Sequence, residues 1–204
     1  MFGPKVLEEF DSKFSGHIAV KKDWNNIYVT TNDLTQSGGL INELWSDLFK
    51  KTQFEKNKSW LVLGLATGTV AKIISKKYAP NKIVGVEIDP DMIRIGKKYF
   101  GLNKIPNLEI VNDDAEHWIL NTEYYDYALV DMYLGDQMPE FVYSQKFLQK
   151  VKRGGKIAVF NHLFYDDDKR KKAGGLIQSL EKIYPKIELE RILTNVLVIC
   201  SLKR

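Results

Sequence analysis

Five places in the sequence combine residue types and spacings that can do chemistry. The first is Val62-Leu63-Gly64-Leu65-Ala66-Thr67-Gly68-Thr69. Small residues at alternate positions after an apolar run let the backbone turn sharply and let a ligand approach it closely. A helix starting there aims its first amides at that ligand. The second is Val84-Gly85-Val86-Glu87-Ile88-Asp89-Pro90. An acid ~20 positions beyond a glycine turn, at the tip of an apolar run, suits a ribose, whose two hydroxyls can donate to one carboxylate. Asp89-Pro90 reads as a helix start, with Asp as N-cap and Pro in the first turn. Glu87 has no such structural task, and a carboxylate at the end of an apolar strand needs a partner.

The third place is Asn112-Asp113-Asp114-Ala115. One aspartate can cap a helix and the other can accept from the exocyclic amine of an adenine; the residues do not say which does which. The fourth is Val130-Asp131, where a reacting group would lie if a nucleoside donor filled the cleft. Further on, Asp136 precedes Gln137-Met138-Pro139 and reads as a turn or helix cap. The fifth is Phe160-Asn161-His162. His162 has base chemistry available, but a lone histidine after a strand is more often a hydrogen-bonded loop residue.

These residues need a scaffold that brings strand ends together, and the hydrophobic pattern supplies one. Short β-rich runs at 5–10, 17–22 and 27–31 are bounded by Ser15-Gly16 and Asp23-Trp24-Asn25-Asn26, which predicts a meander of about three strands. From 39 to about 54 the apolar residues Leu40, Ile41, Leu44, Trp45, Leu48 and Phe49 fall on one helical face. Strands then alternate with helices: 60–63, 82–86, 108–111, 127–130 and 156–160 as strands, with helices at 69–78, 91–100, 115–120, 140–151 and 169–184. Two closing runs, 187–192 and 196–202, have no helix between them and read as an antiparallel hairpin. The pattern predicts an α/β, doubly wound, mostly parallel sheet covered on both faces, with ligands beyond the carboxyl ends of the strands. Residues 1–37 are expected to form a small N-terminal antiparallel β-domain, and residues 38–204 the nucleoside-binding Rossmann-like domain.

Composition narrows the class further. The chain has 204 residues, 44% of them hydrophobic, which excludes wholesale disorder. No apolar stretch reaches the ~18 residues of a membrane span. Glu8, Glu9 and Asp11 stand where a signal peptide would be apolar, so the expected setting is cytoplasmic. A single cysteine, Cys200, rules out an internal disulfide and a Cys-based zinc site, and no metal is expected; Cys200 adjoins an apolar run and reads as a buried hydrophobe. The net charge of +4 comes from scattered lysines and not from one basic stripe, so no nucleic acid is expected. Asp166-Asp167-Asp168 followed by Lys169-Arg170-Lys171-Lys172 reads as a capped, solvated helix start.

On the stretches 85–90, Gly96-Lys97-Lys98-Tyr99-Phe100, Tyr125-Asp126-Tyr127 with Val130-Asp131, and Lys152-Arg153-Gly154-Gly155, the chain resembles the spermidine synthase-like branch of the class I S-adenosylmethionine-dependent transferases. The N-terminal meander ending Thr35-Gln36-Ser37-Gly38-Gly39 is similar to that family's small β-domain. The resemblance implies a seven-stranded class I methyltransferase-like sheet. It also implies roles. Gly64, Ala66 and Gly68 would line the donor's methionine-derived tail, and Gln36 would reach that tail from the β-domain. Glu87 would hold the ribose, Ile88 would pack on the adenine, and Asp113 or Asp114 would bind the adenine amine. Asp131 would bind and deprotonate the attacking amine. A homodimer is implied as well, although the sequence shows no interface.

Departures from the family pattern weigh on the chemistry. Thr67 stands where aminopropyltransferases carry an aspartate for the donor's ammonium, and a hydroxyl does not replace a carboxylate there. Trp45-Ser46 stands where a Tyr-Gln pair is expected, and Gly135-Asp136-Gln137-Met138-Pro139 matches less familiar spermidine synthase-like domains. The expectation is therefore transfer from S-adenosylmethionine or its decarboxylated form, as co-substrate, to a small amine-like acceptor, with methyl transfer favoured and Thr67 meeting the donor's carboxylate. Aminopropyl transfer to a polyamine and a non-catalytic nucleoside-binding module are the alternatives. A dinucleotide dehydrogenase shares the glycine turn and the ribose acid, but the closing hairpin and Asp131 argue against it.

Overall fold

The computed structural model describes residues 4–24, 26–32, 34–121 and 123–202. Asn25, placed by the sequence in a turn, lies outside them. The first sheet is an antiparallel meander of β1 (Lys5–Ser12), β2 (Gly16–Asp23), β3 (Asn26–Thr31) and β4 (Leu34–Ser37). It has one strand more than expected: Leu34-Thr35-Gln36-Ser37 is too short and polar to show a period of two, and it is a strand because β3 offers it a partner.

α1 (Gly39–Lys51) leads into the second sheet. Its strands are β5 (Ser59–Leu63), β6 (Lys82–Glu87), β7 (Leu108–Asn112), β8 (Tyr125–Val130), β9 (Gly155–Leu163), β10 (Lys186–Ile192) and β11 (Asn195–Ser201), and they stand in the order β10-β11-β9-β8-β5-β6-β7. β5 to β9 pair in parallel, while β11 runs antiparallel to both neighbours, as the closing hairpin predicted. The connecting helices are α2 (Thr69–Tyr78), α3 (Pro90–Ile95), α4 (Ala115–Trp118), α5 (Gln145–Gly154) and α6 (Asp167–Glu181).

Strand alternation divides the core between the two faces of this sheet. Trp60, Val62, Tyr127 and Leu129 pack with α1 and α2 through Leu44, Leu48, Val70 and Ile74. Leu61, Leu63, Ala128 and Val130 pack with α5 and α6 through Phe147, Leu148, Leu176 and Leu180. Cys200 is fully buried on the second face, and burial pushes its thiol pKa up, in keeping with a role as a small hydrophobe.

Two predicted helices are interrupted. The helix expected over 91–100 becomes α3 and then a π-helical turn, Gly96–Phe100, stopped by Gly101 at φ +70. The helix expected over 140–151 becomes a 3-10 turn, Glu140–Tyr143, and then α5, because the Ser144 hydroxyl accepts from Phe147 N–H and starts a new helix.

The first sheet is fastened to α3. Ile18, Val20 and Val29 pack on Met92 and Ile95. Asp89 caps α3 as expected, accepting from Asp91 N–H at 2.9 Å, and its other oxygen accepts from the Ser12 and Ser15 hydroxyls at 2.6 Å each. On β1, Glu8 accepts from Lys98, Arg94 and Tyr99, and these donors hold its carboxyl down at about 2. Through these contacts β4 and the start of α1 stand over the carboxyl ends of the parallel strands.

Candidate active site

A cavity of about 790 Å³ opens at those strand ends, a volume suited to a small-molecule ligand. Strand order sets the order of its polar groups. From one edge these are Asp114 after β7, Glu87 on β6, the Gly64–Ala66 turn after β5, Asp131 after β8, Asn161 on β9 and Asn195 at the start of β11. Neighbouring strands stand ~4.8 Å apart, so Glu87 and Asp131, two strands apart across the turn, lie ~10 Å from each other at backbone level.

The turn needs its small residues. Gly64 has φ +87, and a Cβ there would strike the Asp131 carbonyl; Ala66 is also left-handed, at φ +46. Beside them, Glu87 is 8% exposed. Its Oε2 accepts from Ala66 N–H at 2.7 Å and its Oε1 from Asp89 N–H at 2.9 Å. Burial outweighs these two bonds and lifts the carboxyl pKa to about 7. A group that brings further donors to Glu87 stabilises its charged form, and a ribose diol brings two. The turn, with its backbone free of side-chain bulk, and the two acids beside it fit an adenosyl group.

Asp131 is held on both oxygens. Trp45 Nε1–H donates to Oδ2 at 2.9 Å and Asn161 Nδ2–H to Oδ1 at 2.7 Å. Burial nevertheless raises its pKa, which makes it a better proton acceptor than an exposed aspartate. The relay continues: Asn195 donates to Asn161 Oδ1 at 2.7 Å and Thr194 to Asn195 Oδ1 at 3.1 Å. Above, Gln36 Nε2 donates to the Gly135 carbonyl at 2.9 Å, which ties β4 to the loop after Asp131.

Of the residues singled out from the sequence, Gln36, Gly64, Ala66, Glu87, Ile88, Asp114 and Asp131 line this cavity. Thr67, Gly68 and Asp113 do not. Thr67 is 1% exposed beneath the turn; its N–H donates to Ser37 Oγ, and its own hydroxyl has no hydrogen-bond partner among the described residues. Gly68 is the left-handed N-cap of α2. Asp113 accepts from Asp114 N–H and faces a separate cavity of about 430 Å³ with Lys82 and His117. Asp114 both caps α4 and lines the main cavity.

His162 is a hydrogen-bonded residue, as expected, although it lies within β9: it is buried away from the cavity, its Nδ1 on the Leu163 carbonyl and its Nε2 on the Tyr143 hydroxyl, and burial lowers its pKa. Asp136 stands, as expected, in a turn, the one closed by the Leu134–Gln137 bridge, and caps no helix. It pairs with Lys169 at 2.9 Å, and Lys169 is 3% exposed, so the basic run is not wholly solvated. Trp45, Asn161 and Asn195 were missed as site residues. Asn161 stood at a strand end beside His162, and that position was the available signal; Trp45 read as core on an apolar helix face.

Among the described residues no cluster of three or more metal-ligating side chains occurs, and no helix is long and apolar enough to cross a membrane.

Residues 61–155 match the family model described as a methyltransferase domain. A polyamine aminopropyltransferase of Vibrio vulnificus is 30% identical over 97 residues, which cover 46% of this chain and 32% of that protein. The chain thus spans about a third of the length of that relative. A crystal structure of a probable spermidine synthase from Corynebacterium glutamicum is similar over 97% of this chain and 80% of that one, with a TM-score of 0.77 and 16% identity. Human methyltransferase-like protein 13, in complex with SAH, is similar over 80% of this chain and 78% of that one, with a TM-score of 0.61 and 24% identity.

Proposed function

We propose that the chain, whose fold is that of the S-adenosylmethionine-dependent methyltransferases and which is similar to spermidine synthases, transfers a methyl group from S-adenosylmethionine to a small amine. The adenine amine donates to Asp114, the ribose to Glu87, and Ile88 lies against the ring. The methionine tail runs past the Gly64–Ala66 turn toward Gln36, and the sulfonium carbon faces Asp131.

A sulfonium donor supplies its own leaving group, and the protein supplies alignment and a base. The acceptor enters as an ammonium and gives a proton to Asp131. Its freed lone pair forms the bond to the methyl carbon while the carbon–sulfur bond breaks, and that electron pair stays on sulfur as a neutral thioether. Asp131 then passes the proton to solvent.

One observation carries methyl transfer over aminopropyl transfer. Gly64, Leu65 and Ala66 are the turn residues that line the cavity, and Thr67 is buried beneath them, so the turn offers a donor tail backbone groups and no carboxylate. An intact methionine carboxylate suits such a lining, whereas the ammonium of a decarboxylated tail lacks a partner there. The similarity to a polyamine aminopropyltransferase supports aminopropyl transfer as the second reading. The proposal carries with it a cytoplasmic setting and a homodimer, the latter checked by sedimentation. Calorimetric titration with S-adenosylmethionine, its decarboxylated form and methylthioadenosine tests it. The first should bind best; a preference for the second would reverse the assignment.

A further inference from the structure

Beyond Asp131, on the side away from the glycine turn, the described lining of the cavity carries polar and apolar side chains but no second acid. Among its described lining residues the charged side chains are Glu87, Asp114 and Asp131, and strand order puts the first two on the far side of the glycine turn. On the near side stand Asn161, Asn195 and Thr194, neutral groups linked by hydrogen bonds to one another and to Asp131. The remaining walls include Leu134, Phe141, Leu163 and Leu193. Asp136, on the same loop, is already paired with Lys169 and does not line the cavity.

The mouth is largely apolar, and the Tyr165 hydroxyl there donates to Asp136 at 3.1 Å. Leu40, Leu134, Tyr165 and Leu193 all line the cavity and are 42–57% exposed. Leu193 reaches the mouth from the tight turn between β10 and β11, where its φ is +53, a backbone conformation that Asn or Asp adopts readily.

Resting on the transferase reading above, we infer that the acceptor is a monoamine with an apolar body, an alkyl- or arylalkylamine, and not a diamine or polyamine. Asp131 takes the single ammonium, and the leucine-lined mouth takes the hydrocarbon. Hydrocarbon laid over these half-exposed leucines gains by leaving water, whereas the second ammonium of a diamine meets no counter-charge among the described lining residues there. Leu193 is the residue that sets this preference.

The test loads the protein with S-adenosylhomocysteine and titrates n-pentylamine, phenethylamine, putrescine and a lysine-bearing peptide by calorimetry; turnover with S-adenosylmethionine follows on the same panel. The monoamines should bind and turn over at least ~10-fold better than putrescine, of the size of one added apolar contact or missing counter-charge. Leu193→Asp puts a carboxylate at the mouth, on a backbone aspartate tolerates, and should move the preference toward putrescine by a similar factor. Leu193→Asn, without the charge, should not. Failure of the nucleoside to bind at all would sink the transferase reading itself. With the nucleoside bound, a preference for putrescine or for the peptide, no amine accepted, or a Leu193→Asp preference equal to wild type would overturn the monoamine assignment alone.

Discussion

Replacing Glu87 by glutamine sets the stability of the empty protein against its affinity for the donor. The Glu87 carboxyl titrates near 4.5 when exposed and at about 7 in the fold. The folded state therefore binds a proton more tightly than the unfolded chain, and stability is highest below about pH 4.5 and falls as pH rises toward and through about 7. At ~1.4 kcal/mol per tenfold, the fold is ~2.5 kcal/mol less stable at about pH 8 than at about pH 5 through this one group. Glutamine removes the titration. It also leaves one amide N–H facing either Ala66 N–H or Asp89 N–H, at a pH-independent cost of ~1–3 kcal/mol. Urea unfolding of both proteins at about pH 5 and pH 8 reads the difference. The variant should gain ~2.5 kcal/mol on wild type between the two conditions. Its affinity for S-adenosylmethionine should fall, because a ribose diol prefers the carboxylate, and wild-type binding should weaken as pH drops below about 7. A variant-minus-wild-type difference that does not change with pH would refute the account of Glu87 as a buried acid.

Asp131→Asn should retain donor binding by calorimetry while turnover with an amine drops ~10²-fold or more, the usual size of a lost general base; equal losses in both would move Asp131 out of the acceptor's path. Thr67→Val should raise Tm or leave it unchanged, since the hydroxyl it removes is buried without a partner among the described residues. It should also leave donor affinity intact, and a loss of affinity would place Thr67 at the donor after all. Asp89→Ala removes the cap of α3 and the bonds from Ser12 and Ser15, and should cost ~2–4 kcal/mol in chemical unfolding. Gly64→Ala forces a Cβ onto the Asp131 carbonyl at a positive φ and should destabilise enough to lower soluble yield, which circular dichroism of the recovered protein would check.

Much of the architecture was legible because it depends on local periodicity. Apolar strands separated by helices of about ten residues call for a parallel sheet, and a run without a helix at the end calls for a hairpin. Gly64, Ala66, Glu87 and Asp131 were legible for a related reason: strand tips in such a sheet converge wherever the chain crosses over, so position along a strand already implies position in space. Asp89 was readable as a cap from its own sequence context, but its hold on Ser12 and Ser15 was not, since those serines lie 77 and 74 positions away.

What the tertiary structure decided is which of several equivalent groups faces the main cavity. Asp113 and Asp114 are neighbours of the same type, yet only Asp114 lines the main cavity, because successive residues leaving a strand point to opposite sides. Asn161 and His162 are divided in the same way, the first into the Asp131 relay and the second onto Tyr143. Trp45 reads as core by its helix face, and only the packing of α1 over the strand ends turns its indole N–H onto a carboxylate 86 positions away. Sequence spacing carries direction along a strand or helix; which side chain meets which across 80 residues follows from how the layers stack, and no local pattern encodes that.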